Sequence, residues 1–526
     1  MRVQIARIGG ETAEQYSADI VGGKAANLAR MAALGLPVPP AFVLPISLCA
    51  ATVNGEASAA QDLAAALAEG IQFLEKTTGK KFGDRRRPLL VSVRSGAARS
   101  MPGMLDTALN VGCSLPAVHG LVRMTGHPRF ANDCRRRFLE SYGTVVLGID
   151  RTEFANTRDA LVAAEHVGSE AALDCDAIEH LAAAYERVIE DDGRVLSDDP
   201  TEHLISAAQA VFRSWMSDRA GTYRRLQHLE DLQGTAVTVM VFGNAGGSSG
   251  AGVAFSRDPS SGVATPVIDV LFDSQGEDVV SGDHNPETEN ALAVSLPQAA
   301  NDLRAALRRL EDEFADVQDV EFTIENGKLW MLQTRAAKRT PRAALRLAID
   351  FVKEGRISAA EGLSRLDGVD LRALVNKRLV IAAQPIGHGT CASSGVAVGR
   401  AAFDSDSAAR FTAGGDPVIL VRPDTTTADV AGFATAAGIV TAVGGRTAHA
   451  ALVARQMGKP CIVGCTALSI GPAARAAQLA GTAIGEGDWL SIDGEAGAIY
   501  LGRGDVVTER PEAELAEVER WRAAAA

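Results

Sequence analysis

Apolar residues along this chain change their spacing several times, and each change marks a region. Residues 1 to about 110 mix short strands with helices. The spacing predicts a helix over Ala25–Leu34, opening behind Gly22-Gly23-Lys24 and stopping at Gly35, with Pro37, Pro39 and Pro40 just beyond. The run Leu89–Val93 reads as a buried strand that leads into Arg94-Ser95-Gly96. From about 115 to 230 the helical period dominates, over Phe130–Tyr142, Asp176–Glu190 and Glu202–Tyr223. At Gly234 the period shortens to that of strands. Ala236–Phe242 and Val253–Ser256 flank a glycine-rich turn, and Val320–Ile324 and Lys328–Gln333 flank Glu325-Asn326-Gly327, a strong hairpin signal.

A helical connector follows from about Pro341 to Val375. A third region, about Ala382 to Gly502, has short glycine-bounded strands, including Pro417–Val421, Gly438–Val443 and Trp489–Ile492. The tail Glu509–Ala526 reads as one exposed helix, and no internal repeat is visible. At 526 residues the chain exceeds one ordinary core and predicts two to four domains. Its 47% hydrophobic and 22% charged residues are ordinary for a soluble globular protein, and its 52 glycines with many alanines suggest a loop-rich α/β chain.

A formal net charge of -13 argues against a general binder of nucleic acid or anionic membrane. The basic runs Arg85-Arg86-Arg87 and Arg135-Arg136-Arg137 are local exceptions, the first reading as solvated surface. Seven scattered cysteines, with no pair completing a zinc site around Cys461 and Cys465, predict a reduced, cytoplasmic protein. The N-terminal residues lack a secretory signal pattern, and no apolar run reaches the length of a membrane span.

Chemistry concentrates in four places. Between Gly444 and Cys465 a glycine pair precedes His449 at the start of a short amphipathic helix. A helix N-terminus presents unpaired N–H groups and partial positive charge, a seat for phosphate, and neutral imidazole is a competent nucleophile near pH 7. A helix cap is the plainer reading of the same histidine. The segment Gly243–Gly252, with Gly246, Gly247 and Gly250, would let backbone N–H groups close on phosphate oxygens, or would simply turn the chain. Asp319 and Glu321 fall on one face of a strand, where they could hold Mg²⁺. Gln333 and Arg335 repeat that spacing across the hairpin. Lys24 and Arg94 stand beside small residues at chain turns, placed to neutralise phosphoryl groups or to serve as surface charges.

These segments, in order and at length, resemble the pyruvate phosphate dikinase family. The resemblance rests on Val21-Gly22-Gly23-Lys24-Ala25-Ala26-Asn27-Leu28, Leu89 to Ala97, Ser100-Met101-Pro102-Gly103-Met104-Leu105-Asp106-Thr107 and Gly234-Thr235-Ala236. It continues through Val241 to Gly252, Gln275-Gly276-Glu277-Asp278-Val279-Val280, Gln318 to Thr323, and from His449 to Glu486-Gly487-Asp488-Trp489. It implies a multidomain α/β protein: an ATP-grasp module over 1–340 with a helical subdomain at about 115–230, a connector and hinge at 341–385, a swivelling phosphohistidine domain of β/β/α type at 386–505, and a helical tail at 506–526.

By the same resemblance Lys24, Arg94, Asp319, Glu321, Gln333 and Arg335 would bind ATP and its Mg²⁺, with Glu277 added from its matching segment. His449 would accept a pyrophosphoryl group from ATP and release AMP. Inorganic phosphate, or water, would then remove the terminal phosphoryl and leave phospho-His449. Thr447 matches a threonine that a regulatory kinase modifies in some members, and an N-cap hydroxyl is its structural reading.

The sequence also departs from the family pattern. Where the family continues Ala-Gly-Ile-Arg-Thr-Pro, this chain has Ser281-Gly282-Asp283-His284-Asn285-Pro286. Ala448 replaces a serine, and Ser394 replaces a proline. Only 21 residues follow Asp505, whereas the family's pyruvate-binding (β/α)₈ barrel takes about 250. The expectation is a short form without a TIM barrel, whose acceptor is pyruvate on a separate barrel subunit. Rifampicin phosphotransferase and phenylphosphate synthase supply the alternative of another small-molecule acceptor, although a connector of some 45 residues leaves no room for a drug-binding domain. A non-catalytic nucleotide-binding regulatory protein is the reading from a different class.

Overall fold

The computed structural model describes residues 3–10, 14–99, 101, 104–241, 248–275, 285–424, 430–446, 449–471 and 475–525. The chain forms two compact units, Met1–Gly247 with Trp330–Thr334, and Ser248–Leu329 with Arg335–Ala526.

In the first unit a five-stranded sheet runs in the order Ala6–Ile8, Ala41–Leu44, Thr235–Val241, Val91–Ala97, Thr107–Val111, with all neighbours antiparallel. Its strands are apolar almost throughout. Phe42, Val91, Val93 and Val237 pack with Leu63 and Leu67 of helix Ala59–Thr78 and with Val211 and Phe212 of helix Pro200–Ser214. The helix expected over Glu202–Tyr223 is two helices, Pro200–Ser214 and Asp218–Leu226. Ser217 separates them, its side chain accepting the Ala220 N–H as an N-cap.

Helices Leu115–Thr125, Pro128–Val145, Arg151–Ala164 and Cys175–Asp191 enclose a second core that includes Phe138, Tyr142, Phe154, Leu181 and Tyr185. The basic run in this bundle is occupied by carboxylates rather than open to anions. Arg135 meets Glu186 at 2.6 Å; Arg136 meets Asp133 at 2.8 Å, Glu140 at 2.9 Å and Glu170 at 2.7 Å; Arg137 meets Asp133 at 2.7 Å. By contrast Arg85 and Arg86 are exposed, beside His119 and Arg123 in an open cleft.

Burial opposes ionisation of Asp133, but Arg136 and Arg137 outweigh it and hold the carboxyl well below the usual range. A depressed folded value contributes stability above the unfolded value of about 3.9, and that contribution is lost as pH falls through the folded value. Asp133→Asn is expected to cost about 2–3 kcal/mol at pH 7, at or under the low end for a broken buried pair because Glu140 and Glu170 still face Arg136. Urea melts should show this gap between wild type and variant at pH 7 and a smaller one at pH 3.

A second five-stranded sheet, in the second unit except for Trp330–Thr334 of its last strand, is ordered Glu287–Thr288, Val267–Phe272, Gly250–Phe255, Gln318–Glu325, Lys328–Ala336. Asn326 and Gly327, at φ of 51° and 76°, make the left-handed turn that the Asn-Gly pair predicts. The glycine-rich turn is shorter than expected, because the strand already begins at Gly250. At Gly252 a Cβ would lie 2.3 Å from the Phe322 ring, so the glycine makes room within the sheet for that aromatic side chain.

The connector is two helices, Pro341–Lys353 and Ala359–Ser364. The tail is not a free exposed helix. Asp505–Glu509 pairs as a strand with Asn376–Val380, and Val518 and Trp521 of helix Glu512–Ala525 are buried against Leu345, Ile349 and Leu366. The three-residue spacing of Leu515, Val518 and Trp521 supplies the apolar stripe.

The largest sheet of the second unit has eight strands. Val396–Ala402, Val418–Arg422, Gly438–Thr441 and Cys461–Val463 lie side by side and parallel. Helices Ser405–Ala413, Val430–Thr435 and His449–Gln456 make the crossovers between them, as parallel neighbours require. Antiparallel strands flank this core, Trp489–Asp493 on one side and Thr390–Ser393 on the other. Apolar clusters cover both faces.

Candidate functional site

Lys24 lies in the first turn of helix Gly23–Ala33, and Arg94 lies within strand Val91–Ala97. Gly22 brings the two elements together. It has a φ of 80°, and a Cβ there would stand 1.9 Å from the Gly96 carbonyl oxygen. The paired glycines are therefore a packing requirement that sets the Lys24 helix against the Arg94 strand. Gly22→Ala is expected to lower the unfolding midpoint through backbone strain of about 1–3 kcal/mol with the clash added. Gly55, also left-handed at a φ of 69° but with nothing within 4 Å, gives the control in which Gly55→Ala reports strain alone.

Asn27, one turn on from Gly23, donates from Nδ2 to the Thr334 carbonyl at 3.0 Å. The Met331 N–H donates to the Pro37 carbonyl at 2.7 Å. These bonds tether the stretch that carries the buried Gln333 to the helix of Lys24.

In the second unit, Asp319 sits directly opposite Phe255 in the sheet register. Its carboxylate is 2% exposed and takes the Nε of Arg335 at 2.8 Å on Oδ2, whereas Oδ1 has no hydrogen-bond partner. Burial pushes the Asp319 carboxyl up and Arg335 pulls it back. Burial works against the charge on Arg335, but Asp319 and Glu321 outweigh it and hold the guanidinium protonated. Asp319 and Arg335 are thus brought together, and Glu321 follows two residues along the same strand. Gly250 lies inside its strand, with no room for a side chain because a Cβ would be 2.7 Å from the Leu271 carbonyl oxygen. Gly246, Gly247, Glu277 and Thr447 lie outside the described residues.

His449 is the first residue of the eight-residue helix His449–Gln456, which follows the carboxyl end of the parallel strand Gly438–Thr441. That edge of a parallel sheet is where ligands gather in α/β folds. The side chain of His449 is likewise outside the described set.

The helix packs through Ala450, Ala451 and Ala454 on its own sheet, against Ala392, Cys461 and Val463, while Arg455 and the preceding Arg446 reach the sheet of Asp319. Arg455, 1% exposed, lies over the Phe255 ring at 5.3 Å and donates from Nη1 to the Ala392 carbonyl at 2.8 Å. Its Nε and Nη2 find no hydrogen-bond partner. Burial lowers its affinity for the proton, and Asp319 heads the acidic groups that oppose the shift. At the other end of the helix, Asp269 accepts the Arg446 N–H at 2.7 Å. Burial pushes the Asp269 carboxyl up while Arg446 draws it down.

Asn27, Asp269 and Arg455 are not singled out by the sequence. Asp269 is a lone acid in a strand, and Arg455 reads as the polar face of an amphipathic helix.

The cysteines add no chemistry here. All seven are free, and burial pushes the Cys391 and Cys465 thiols up to about 12, far from the reactive thiolate. No helix among the described residues is long and apolar enough to cross a membrane.

Residues 55–297 and 287–355 match the family described as pyruvate phosphate dikinase, AMP/ATP-binding domain. This match covers more than half of the chain. The chain belongs to the pyruvate phosphate dikinase family. Residues 414–497, which contain His449, match the mobile domain of PEP-utilising enzymes. The chain is 41% identical over 499 residues to the pyruvate, phosphate dikinase of Clostridium symbiosum, covering 93% of this chain and 57% of that protein. It is 41% identical over 522 residues to that of Rhizobium meliloti (strain 1021), covering 96% and 58%, and 39% identical over 492 residues to pyruvate, phosphate dikinase 2 of Zea mays, covering 92% and 56%. It therefore spans a little over half the length of these dikinase relatives. Arg94, Asp319, Glu321, Gln333 and Arg335 fall within the range of the nucleotide-binding family, and Lys24 precedes it.

Proposed function

We propose that the chain is an ATP-dependent phosphotransferase in which His449 is the phosphoryl carrier. The observation that carries this reading is the seating of the His449 helix, through Arg455, on Phe255, the register partner of Asp319. It gives the candidate nucleophile and the candidate metal carboxylate one compact unit.

In this reading residues 1–340 are an ATP-grasp module, 341–385 the connector and hinge, 386–505 the swivelling phosphohistidine domain and 506–526 the tail. Lys24, Arg94, Asp319, Glu321, Gln333 and Arg335 bind the nucleotide. Glu277 and the glycine-rich segment join them.

The donor set fits Mg²⁺. Asp319 Oδ1 is a buried oxygen without a partner, and Glu321 follows on the same strand face. Among the described residues no group of three or more His, Cys, Asp or Glu could hold a metal. Two carboxylates completed by phosphate and water oxygens are the usual Mg²⁺ arrangement. The bound metal would neutralise charge on the phosphate chain.

An imidazole nitrogen of His449 attacks the β-phosphorus of ATP, the bond from that phosphorus to the α,β-bridging oxygen breaks, and AMP departs. Inorganic phosphate takes the terminal phosphoryl as pyrophosphate, leaving phospho-His449; water is the alternative acceptor in this step. Pyruvate, held by a separate barrel subunit, is the proposed final acceptor, in line with the names of the relatives. A kinase acting at Thr447 would block the carrier, and the reaction is placed in the cytoplasm.

The test is incubation with Mg²⁺ and ATP labelled separately at the β and γ positions, with and without phosphate. The expected result is AMP, acid-labile β-label on His449, and γ-label that leaves as pyrophosphate only when phosphate is supplied. Formation of ADP without AMP would rule out the dikinase half-reaction.

A further inference from the structure

The turn Gly444-Gly445-Arg446 carries the chain toward His449, and it is gripped from outside its own sheet. The Gly444 N–H donates to Asn285 Oδ1 at 3.1 Å and the Arg446 N–H to Asp269 Oδ2 at 2.7 Å. Both amides are donors, so the side-chain amide of Asn285 must present its oxygen. Gly445 is where the fit is closest: a Cβ there would stand 2.5 Å from Pro286 Cγ and 3.0 Å from Asp269 Oδ2. The glycine pair before the histidine is therefore shaped by Asn285-Pro286 and Asp269.

A second attachment lies on the strand Thr390–Ser393, which pairs with Cys461–Val463, the strand after the His449 helix. Just beyond it, the Ser394 hydroxyl donates to the Ser260 carbonyl at 2.8 Å, and the Ser260 hydroxyl donates to the Ala392 carbonyl at 3.2 Å. Asn285 and Ser394 are two of the positions at which this sequence departs from the family pattern. The family's proline in place of Ser394 has no hydroxyl to give.

We propose that Asn285 and Ser394 are positioning residues, acquired by this chain, that seat the histidine-bearing sheet against the Gly250–Phe255 and Val267–Phe272 strands and hold the Gly444–Arg446 turn in the pose from which His449 takes its phosphoryl group. Neither residue touches the reacting atoms. Each acts through the backbone: Asn285 fixes the turn directly, and Ser394 fixes the sheet that carries it. This rests on the function proposed above, but its first readout does not depend on that function.

The experiment uses the full chain as wild type and as Asn285→Ala, Ser394→Ala, the double variant and Asn285→Asp, which keeps an acceptor oxygen. Hydrogen exchange is followed in the peptide spanning 443–446, and β-label transfer from ATP to His449 in single turnovers. Each Ala variant is expected to accelerate exchange and slow labelling by about 2- to 12-fold, the worth of one net hydrogen bond, with the effects multiplying in the double variant. Nucleotide affinity should stay unchanged, and Asn285→Asp should stay close to wild type.

Exchange at 443–446 that is already unprotected in wild type, or unaltered in the double variant, would overturn the seating. Faster exchange with unaltered labelling would overturn the positioning role. Absence of label on wild-type His449 counts against the phosphotransferase reading, while the exchange data still decide whether the seating exists.

Discussion

His449→Ala is expected to leave the chain unlabelled by ATP, with AMP release reduced by at least about 10³-fold, the scale on which deletion of a nucleophile acts. The reasoning starts from the bond. A phosphoryl group on imidazole nitrogen is acid-labile, so label on this residue is lost on acidification and stable in base. Lys459, the other residue of the Gly444–Cys465 segment whose phosphoramidate is acid-labile and base-stable, gives its Nζ to the carbonyls of Phe433, Ala434 and Ala436, and Cys461 and Cys465 are buried thiols raised far above neutrality. ATP binding should survive in the variant, since the Asp319–Arg335 pair lies on strands apart from the helix that His449 opens. The measurement is quench-flow with β-labelled ATP, followed by digestion and identification of the labelled peptide. Acid-labile label that persists in His449→Ala would assign the carrier elsewhere.

The second large effect is expected from the two halves of one ion pair, and it is asymmetric. Arg335→Ala leaves Asp319, 2% exposed, with the charge of Arg455 but without its hydrogen-bonded partner; Asp319→Ala leaves Arg335, whose side chain is 35% exposed, able to turn to water. Removing the partner of a buried charge typically costs about 3–5 kcal/mol, whereas a partly exposed cation recovers most of its hydration. Arg335→Ala should therefore destabilise the protein by about 3–5 kcal/mol and Asp319→Ala by no more than about 1–2 kcal/mol. ATP affinity in Mg²⁺ should fall in both. Denaturant melts and nucleotide titrations on the two single variants and the double variant separate the effects. Equal destabilisation by the two single variants would contradict the burial difference on which the argument rests.

Legibility from sequence followed the range over which each signal acts. The Asn326-Gly327 turn and the stop at Gly35 are local, because backbone conformation there is dictated by the residue itself. The mixed α/β class followed from composition and from the alternation of helical and strand periods, and the resemblance agreed with it. Asp319 and Arg335 were legible as partners because a hairpin converts sequence spacing into a shared face. The two helices in place of Glu202–Tyr223 were not, since the apolar spacing runs through the break and only the cap of Ser217 marks it. The tail was misread because its stripe is short, and its covering surface, Leu345 to Leu366, lies far back in the sequence. Asp269 and Arg455 escaped notice for the same reason, and Asn285 was visible only as a departure from the family pattern. Each acquires its meaning from a residue more than 60 positions away, a distance at which spacing along the chain carries no information.

Arg455 has a further consequence. One hydrogen bond, to Ala392, serves a guanidinium that has five N–H groups to satisfy, and Nε and Nη2 have only the face of Phe255 beside them in place of a hydrogen-bond partner. Water would satisfy all five. A hydrocarbon at this position would hold the helix to the strand more firmly. The arginine instead sets a ceiling on the adhesion, since its attraction to the ring is offset by the solvation it forgoes. A contact built in this way favours placement over adhesion: the ring fixes where the guanidinium lies, while the unmet N–H groups limit the energy gained.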